Sequence, residues 1–370
     1  MKRKFDYKLL YFFIPLIFIM FISFLNMYNA KVLALNYQNH LIKQIIWYIL
    51  GFLIMFIISK IDLKSIFKYS FIFYLGSIIL LILVLIFGEE INGAKAWFNL
   101  KYFSFQPSEL AKLSLALYLT KIVANTKIEK TKDEFILILK VLLITFIPSI
   151  LVFLEPDTGA IIIYLLIAGS ILLTSKIRKR WFIIISLITM IFLLIFFYYY
   201  FNNPDVLIKL IGTSFFYRVE RLLSFTNGIG LQLENALVAI GSASFFGSGI
   251  GKVSIYIPEA PTDFIVAFTI ENFGLITIFL ILLAYLIIDI FLLKTYFNTN
   301  NSYKYFFISF IAIFYFQQFE NILMNIGLMP IIGIPLPFLS YGGTTILIYF
   351  MFIGIILKFK KQKDLSFCYL

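Results

Sequence analysis

The chain has 370 residues, of which 62% are hydrophobic, 19% aromatic and 14% charged, with a mean hydropathy of +0.98 and a formal net charge of +12. That balance excludes an ordinary soluble domain, in which about 25% of residues are charged. One cysteine, Cys368, and one histidine, His40, exclude an intrachain disulfide and a Cys/His zinc site.

In chain order, Met1-Lys2-Arg3-Lys4 has the character of a signal-peptide n-region. The apolar stretch from Leu9 runs into Asn26-Met27-Tyr28-Asn29 without a small-residue cleavage site, so it reads as a retained first span. Ten apolar runs approach the ~20 residues that cross a bilayer as a helix. They lie near 9–28, 43–59, 67–87, 107–124, 135–154, 157–174, 181–201, 264–290, 304–328 and 342–357. The expectation is an all-α integral membrane protein, one polytopic domain over residues 1–370, with a large extracytoplasmic loop near 202–262 between helices seven and eight. Only Glu155-Pro156-Asp157 separates the fifth and sixth runs; Pro156 forces a turn, and Asp157 is placed to cap the helix that follows.

The basic residues orient the bundle. With both termini in the cytoplasm, the inner segments hold twenty-one Lys and Arg against nine outside, Lys140 lying within a span. That is the bias of the positive-inside rule. The basic residues sit in short segments between apolar runs and form no face for nucleic acid. The stretches 88–106, 202–262 and 330–343 then face outward, where irregular backbone tends to carry sites. Gly247-Ser248-Gly249-Ile250-Gly251 is too short for a P-loop, so cytosolic ATP is not the expected substrate.

Ionisable groups at membrane depth are costly unless paired or wetted, and each is a candidate. Glu109 and Lys112 are three apart on the fourth helix, which suits either a structural ion pair or the charged wall of a polar cavity. Asp263 stands at the mouth of the eighth helix. Either it or Thr262 caps that helix; if Thr262 does, Asp263 is free to face a cavity as a general base. Arg218 and Arg221 are spaced to present two guanidinium groups to a phosphate, or to rest at the headgroups. Glu271 and Glu320 are weaker candidates.

Five segments together resemble the SEDS family (shape, elongation, division and sporulation). They are Phe105-Gln106-Pro107-Ser108-Glu109-Leu110-Ala111-Lys112, Glu155-Pro156-Asp157-Thr158-Gly159, Pro261-Thr262-Asp263-Phe264-Ile265, Asn325-Ile326-Gly327-Leu328-Met329-Pro330 and the run from Gly333-Ile334-Pro335 through Ser340-Tyr341-Gly342-Gly343. The resemblance, nearest to the RodA type, implies a peptidoglycan glycosyltransferase of the bacterial cytoplasmic membrane that serves cell elongation. It would polymerise lipid II, a disaccharide-pentapeptide on undecaprenyl pyrophosphate, at the outer face, beside a class B penicillin-binding protein. It further implies Asp263 as catalytic base and a cavity drawn from Glu109, Lys112, Trp97, Lys95, Arg218, Arg221 and Ser340. Pro156, Asp157, Gly342 and Gly343 would be structural. A divalent cation, Mg2+ or Mn2+, would assist the pyrophosphate with no protein ligand set assigned; no organic cofactor is implied.

The sequence departs from the family pattern in places. Ala96 stands where a second basic residue usually precedes the tryptophan, Glu234-Asn235 near a Gln-Ser pair, Ile270-Glu271 at an acidic pair, and Thr344-Thr345 for a closing Ser-Ser. The rival readings are a lipid II flippase, which needs access from both leaflets, and a non-catalytic scaffold for the crosslinking partner.

Overall fold

The computed structural model describes residues 9–91, 94–100, 103–211, 216, 230–299 and 304–361. Its helices are α1 (Leu10–Leu33), α2 (His40–Ile58), α3 (Leu63–Lys68), α4 (Ser70–Phe87), α5 (Pro107–Asn125), α6 (Thr131–Leu154) and α7 (Thr158–Thr174). They continue with α8 (Lys179–Asn202), α9 (Pro204–Ile211), α10 (Leu231–Ser242), α11 (Ile265–Phe297), α12 (Lys304–Asn325) and α13 (Gly343–Lys361). A long helix stands at each of the ten apolar runs, and the chain is an all-α membrane protein. Among the described residues, seven helical segments are long and apolar enough to cross a membrane: Leu10–Leu33, Leu35–Ile58, Ser70–Phe87, Thr131–Leu154, Lys179–Asn202, Ile265–Phe297 and Lys304–Asn325.

Helix α5 is more polar because it is enclosed by protein. It packs on α4, α6, α7, α12 and α13, and its charged Glu109 and Lys112 are both buried. A polar side chain is tolerated at membrane depth where it faces the bundle interior. Helix α8 is the opposite case: none of its 24 residues is buried. Its base is tied to α6, where Glu134 takes Arg178 Nε at 3.0 Å and the Trp181 indole N–H at 2.7 Å.

Two features add to the expected all-helical plan. Residues 89–105 hold a three-stranded antiparallel sheet of β1 (Glu89–Ile91), β2 (Ala94–Leu100) and β3 (Phe103–Phe105), with Glu89 opposite Trp97 and Phe98 opposite Phe105. The large segment read as a loop contains α9 and α10. Within α11 the backbone breaks at Gly274, whose φ is +78°. There the 244–249 segment supplies the missing partners: Ser248 N–H donates to Glu271 O at 2.8 Å and Gly249 N–H to Asn272 O at 2.9 Å. Any Cβ at Gly274 would lie 2.1 Å from Phe245 O, so only glycine fits.

Candidate active site

Helices α5, α7, α11 and α13 begin at one end of the bundle, and their first residues interlock. Pro107 opens α5, a position where its missing N–H costs nothing. Asp157 caps α7 as expected, its Oδ1 accepting Ala160 N–H at 3.0 Å. Its Oδ2 accepts the Gln106 amide at 3.0 Å and the Ser108 hydroxyl at 3.2 Å, so one carboxylate joins the starts of two helices. Nearly two turns into α7, the Tyr164 hydroxyl donates to Ser108 O at 2.9 Å. On α5, Lys112 Nζ meets Glu109 Oε1 at 2.5 Å with both side chains buried. This is the ion pair the spacing allowed, and each charge is satisfied by the other.

The segment before α13 is held through its carbonyls. Ser23 donates to Leu339 O at 2.8 Å, Gln44 to Ser340 O at 3.1 Å, Tyr285 to Pro337 O at 2.5 Å and Tyr48 to Phe338 O. Pro335 and Pro337 have no N–H to satisfy, and four side chains from three helices take the carbonyls. Gly343 lies against Trp47, whose ring would be 2.2 Å from an added Cβ. Ser340 was expected in a ligand cavity, but its hydroxyl is occupied by backbone on both sides. It accepts Leu336 N–H at 2.9 Å and donates to Thr262 O at 2.6 Å. With Tyr341 N–H on Pro261 O at 2.8 Å, it stitches this segment to the one carrying Asp263.

Neither cap reading at α11 holds. Phe264 is the N-cap residue and contributes no side-chain bond, and the Thr262 hydroxyl turns back to Glu259 Oε2 at 2.8 Å. Asp263 is half-buried, and no hydrogen bond from the described residues reaches its carboxylate. Its Oδ2 lies 3.5 Å from where a Cβ on Gly333 would stand. A carboxylate ringed by protein yet open on one side loses much of its hydration, and burial, then the charges of Glu259 and Asp157, lift its pKa to about 7. The arrangement can remove a proton from a hydroxyl near neutral pH.

The remaining candidates fall elsewhere. Trp97 is half-buried in β2. Lys95 donates to Ile86 O at 3.0 Å, which ties its ammonium to the end of α4. Ala96, where a second basic residue was expected, is buried. Arg218 and Arg221 lie outside the described residues. Glu271 is structural, its Oε1 accepting the N–H groups of Ser254 and Ile255 at 2.8 Å each. Among the described residues no three His, Cys, Asp or Glu side chains form a metal-binding group, so the protein alone does not fit a cation cage there. Two apolar grooves open on the bundle surface away from Asp263. One of about 590 Å³ lies between α6 and α7, and one of about 550 Å³ lies along α4 beside Leu110.

Sequence reasoning missed Asn321, which holds Asp263 O, and the carbonyl clasp of Ser23, Gln44, Tyr48 and Tyr285. It also passed over Glu155, a fully buried carboxyl with no hydrogen-bond partner for either oxygen among the described residues. The usable signal was polar residues recurring every four positions on an apolar helix, as Gln317, Asn321 and Asn325 do.

Comparison with known proteins identifies the family and matches the fold. The family model for cell cycle proteins of the FtsW, RodA and SpoVE type matches residues 5–365. The probable peptidoglycan glycosyltransferase FtsW of Buchnera aphidicola (from Schizaphis graminum) is 32% identical over 342 residues, covering 88% of this chain and 91% of that protein. Its namesake in Acinetobacter baylyi is 30% identical over 356 residues, covering 90% and 83%. The crystal structure of the rod shape determining protein RodA of Thermus thermophilus superposes with a TM-score of 0.69 at 25% identity, over 99% of each chain. A chain from a structure of a peptidoglycan synthase complex that coordinates polymerization and crosslinking gives a TM-score of 0.78 at 24% identity, over 98% of this chain and all of the other.

Proposed function

The chain belongs to the FtsW, RodA and SpoVE family of cell cycle proteins, and from that membership we propose that it is a peptidoglycan glycosyltransferase that polymerises lipid II at the outer face of the bacterial cytoplasmic membrane. Ten spans with both termini in the cytoplasm put the Asp263 end outside, where the lipid-linked disaccharide is presented. The observation that carries the reading is Asp263, a carboxylate at the start of a span, open on one side and with a pKa near 7.

Asp263 takes the proton of the acceptor sugar hydroxyl as that oxygen bonds to the anomeric carbon of the donor. The bond from that carbon to the pyrophosphate oxygen breaks, the pyrophosphate leaves with the electron pair, and the configuration inverts. Glu109 and Lys112 shape the cavity wall. Arg218 and Arg221 are assigned to the pyrophosphate on residue type and spacing. A divalent cation at this site would draw its oxygen ligands chiefly from the substrate phosphates. The lipid tails lie along the apolar grooves of the bundle, and a class B penicillin-binding protein is the partner that crosslinks the product. We assign it to elongation, as the resemblance to the RodA type implies.

The test pairs two assays on the purified protein with fluorescent lipid II and the partner: glycan strand formation in detergent, and lipid II translocation in vesicles. Strands without translocation support the enzyme. Translocation without strands would replace it with a flippase, and neither activity, with partner binding retained, would leave a scaffold.

A further inference from the structure

Helix α11 starts at a buried end and has no side-chain cap of its own. The first N–H groups of a helix need partners, and water is not at hand in a buried turn. A helix begun one residue earlier would give the Ala267 N–H to Asp263 O, four residues back. That bond is absent, and the carboxamide of Asn325, on α12, stands in its place. Asn325 Oδ1 accepts the Ala267 N–H at 3.0 Å, and Asn325 Nδ2 donates to Asp263 O at 3.0 Å. One turn back on α12, Asn321 Nδ2 donates to the same carbonyl at 2.9 Å and to Ile334 O at 2.8 Å. Both asparagines are fully buried, and Asn325 Nδ2 also lies 2.8 Å from Asn321 O, which fixes their relative placement.

We propose that Asn321 and Asn325 are positioning residues for Asp263: the Asn325 amide is wedged into the first turn of α11 and keeps Asp263 out of the helix, while Asn321 fixes Asp263 against the 333–334 segment. This rests on the reading of Asp263 as the base. Removing the wedge lets the Ala267 N–H reach Asp263 O, so α11 winds one residue further back and the carboxylate turns away from its open side. The effect falls on the chemical step and not on substrate binding, because both asparagines are fully buried and neither can touch substrate. Misplacing a reacting group by about 1 Å costs on the order of 10²-fold in rate.

Steady-state polymerisation of lipid II is measured for wild type, Asn325→Leu, Asn321→Leu and Asp263→Asn in detergent with the partner present. Thermal midpoints of the same preparations confirm folding. The expected result is a kcat lower by on the order of 10²-fold for each leucine variant, with KM for lipid II within about twofold. Asn325→Asp, when ionised, keeps an acceptor for Ala267 N–H but has no proton for Asp263 O, so it is expected to hold the start of α11 without recovering kcat. It also serves as the working variant where leucine prevents folding. Wild-type kcat in folded leucine or aspartate variants, alongside a dead Asp263→Asn, would overturn the wedge alone. An Asp263→Asn variant as active as wild type would overturn the base on which the wedge depends.

Discussion

The pH dependence of polymerisation follows directly from the position of Asp263. A base must be ionised to accept a proton, and burial with two neighbouring carboxylates sets this group at about 7, against 3.8 for an ordinary aspartate. At lipid II well below KM, where kcat/KM follows the free protein, the rate is expected to be about a tenth of its plateau at pH 6, about half at pH 7 and about nine-tenths at pH 8. Because burial is the largest cause and Glu259 the next, Glu259→Gln is expected to lower the midpoint by less than about one pH unit while leaving the plateau. Stability runs the other way. The folded state holds the Asp263 proton more tightly than the unfolded chain, so this group's contribution is full below about pH 4 and is lost as pH rises through about 7. Asp263→Asn should therefore gain thermal midpoint over wild type as pH rises from 5 to 8. A rate profile flat from pH 5.5 to 8.5, or a midpoint raised by Glu259→Gln, would refute the reasoning.

Three further outcomes are expected. Removing one partner of the buried Glu109–Lys112 pair, as in Lys112→Met, should cost about 3–5 kcal/mol, whereas Glu109→Leu with Lys112→Met should restore most of it; thermal melts of the singles and the double measure this. The Glu155 carboxyl is pushed to about 8, by burial first and Asp157 second, so it contributes stability below about pH 4 that is lost as pH rises through 8. Glu155→Gln should abolish that decline, seen by comparing melts at pH 6.5 and 9. Glu134→Ala should free the base of α8, read as a change in Trp181 fluorescence with Trp47 and Trp97 replaced by phenylalanine.

The spans were legible because bilayer thickness fixes their length and composition shows it, and the Glu109–Lys112 pair because helical spacing puts the two residues on one face. Asp157 was legible as a cap, although its second oxygen, which joins α5 to α7, was not. Asp263 was found as a residue but its local structure was not. The cap of α11 comes from Asn325, 58 residues further along the chain, and no local pattern reports a partner at that distance. Ser340 was placed among ligand contacts; its hydroxyl is bonded to Leu336, four residues back, and to Thr262, 78 residues back, a distance no local pattern reports. The break at Gly274 was missed for the same reason, since the segment that fills it arrives from residues 244–249. Local chemistry and the bilayer wrote the helices into the sequence, while the polar joints between them were set by tertiary packing.

Glycan formation from purified lipid II, comparing wild type with a folded Asp263→Asn protein in the presence of the partner, tests the central claim most directly. Strands from wild type and none from the variant are the predicted result. Equal strands from both would contradict the assignment of Asp263 as the base, and none from wild type would contradict the polymerase itself.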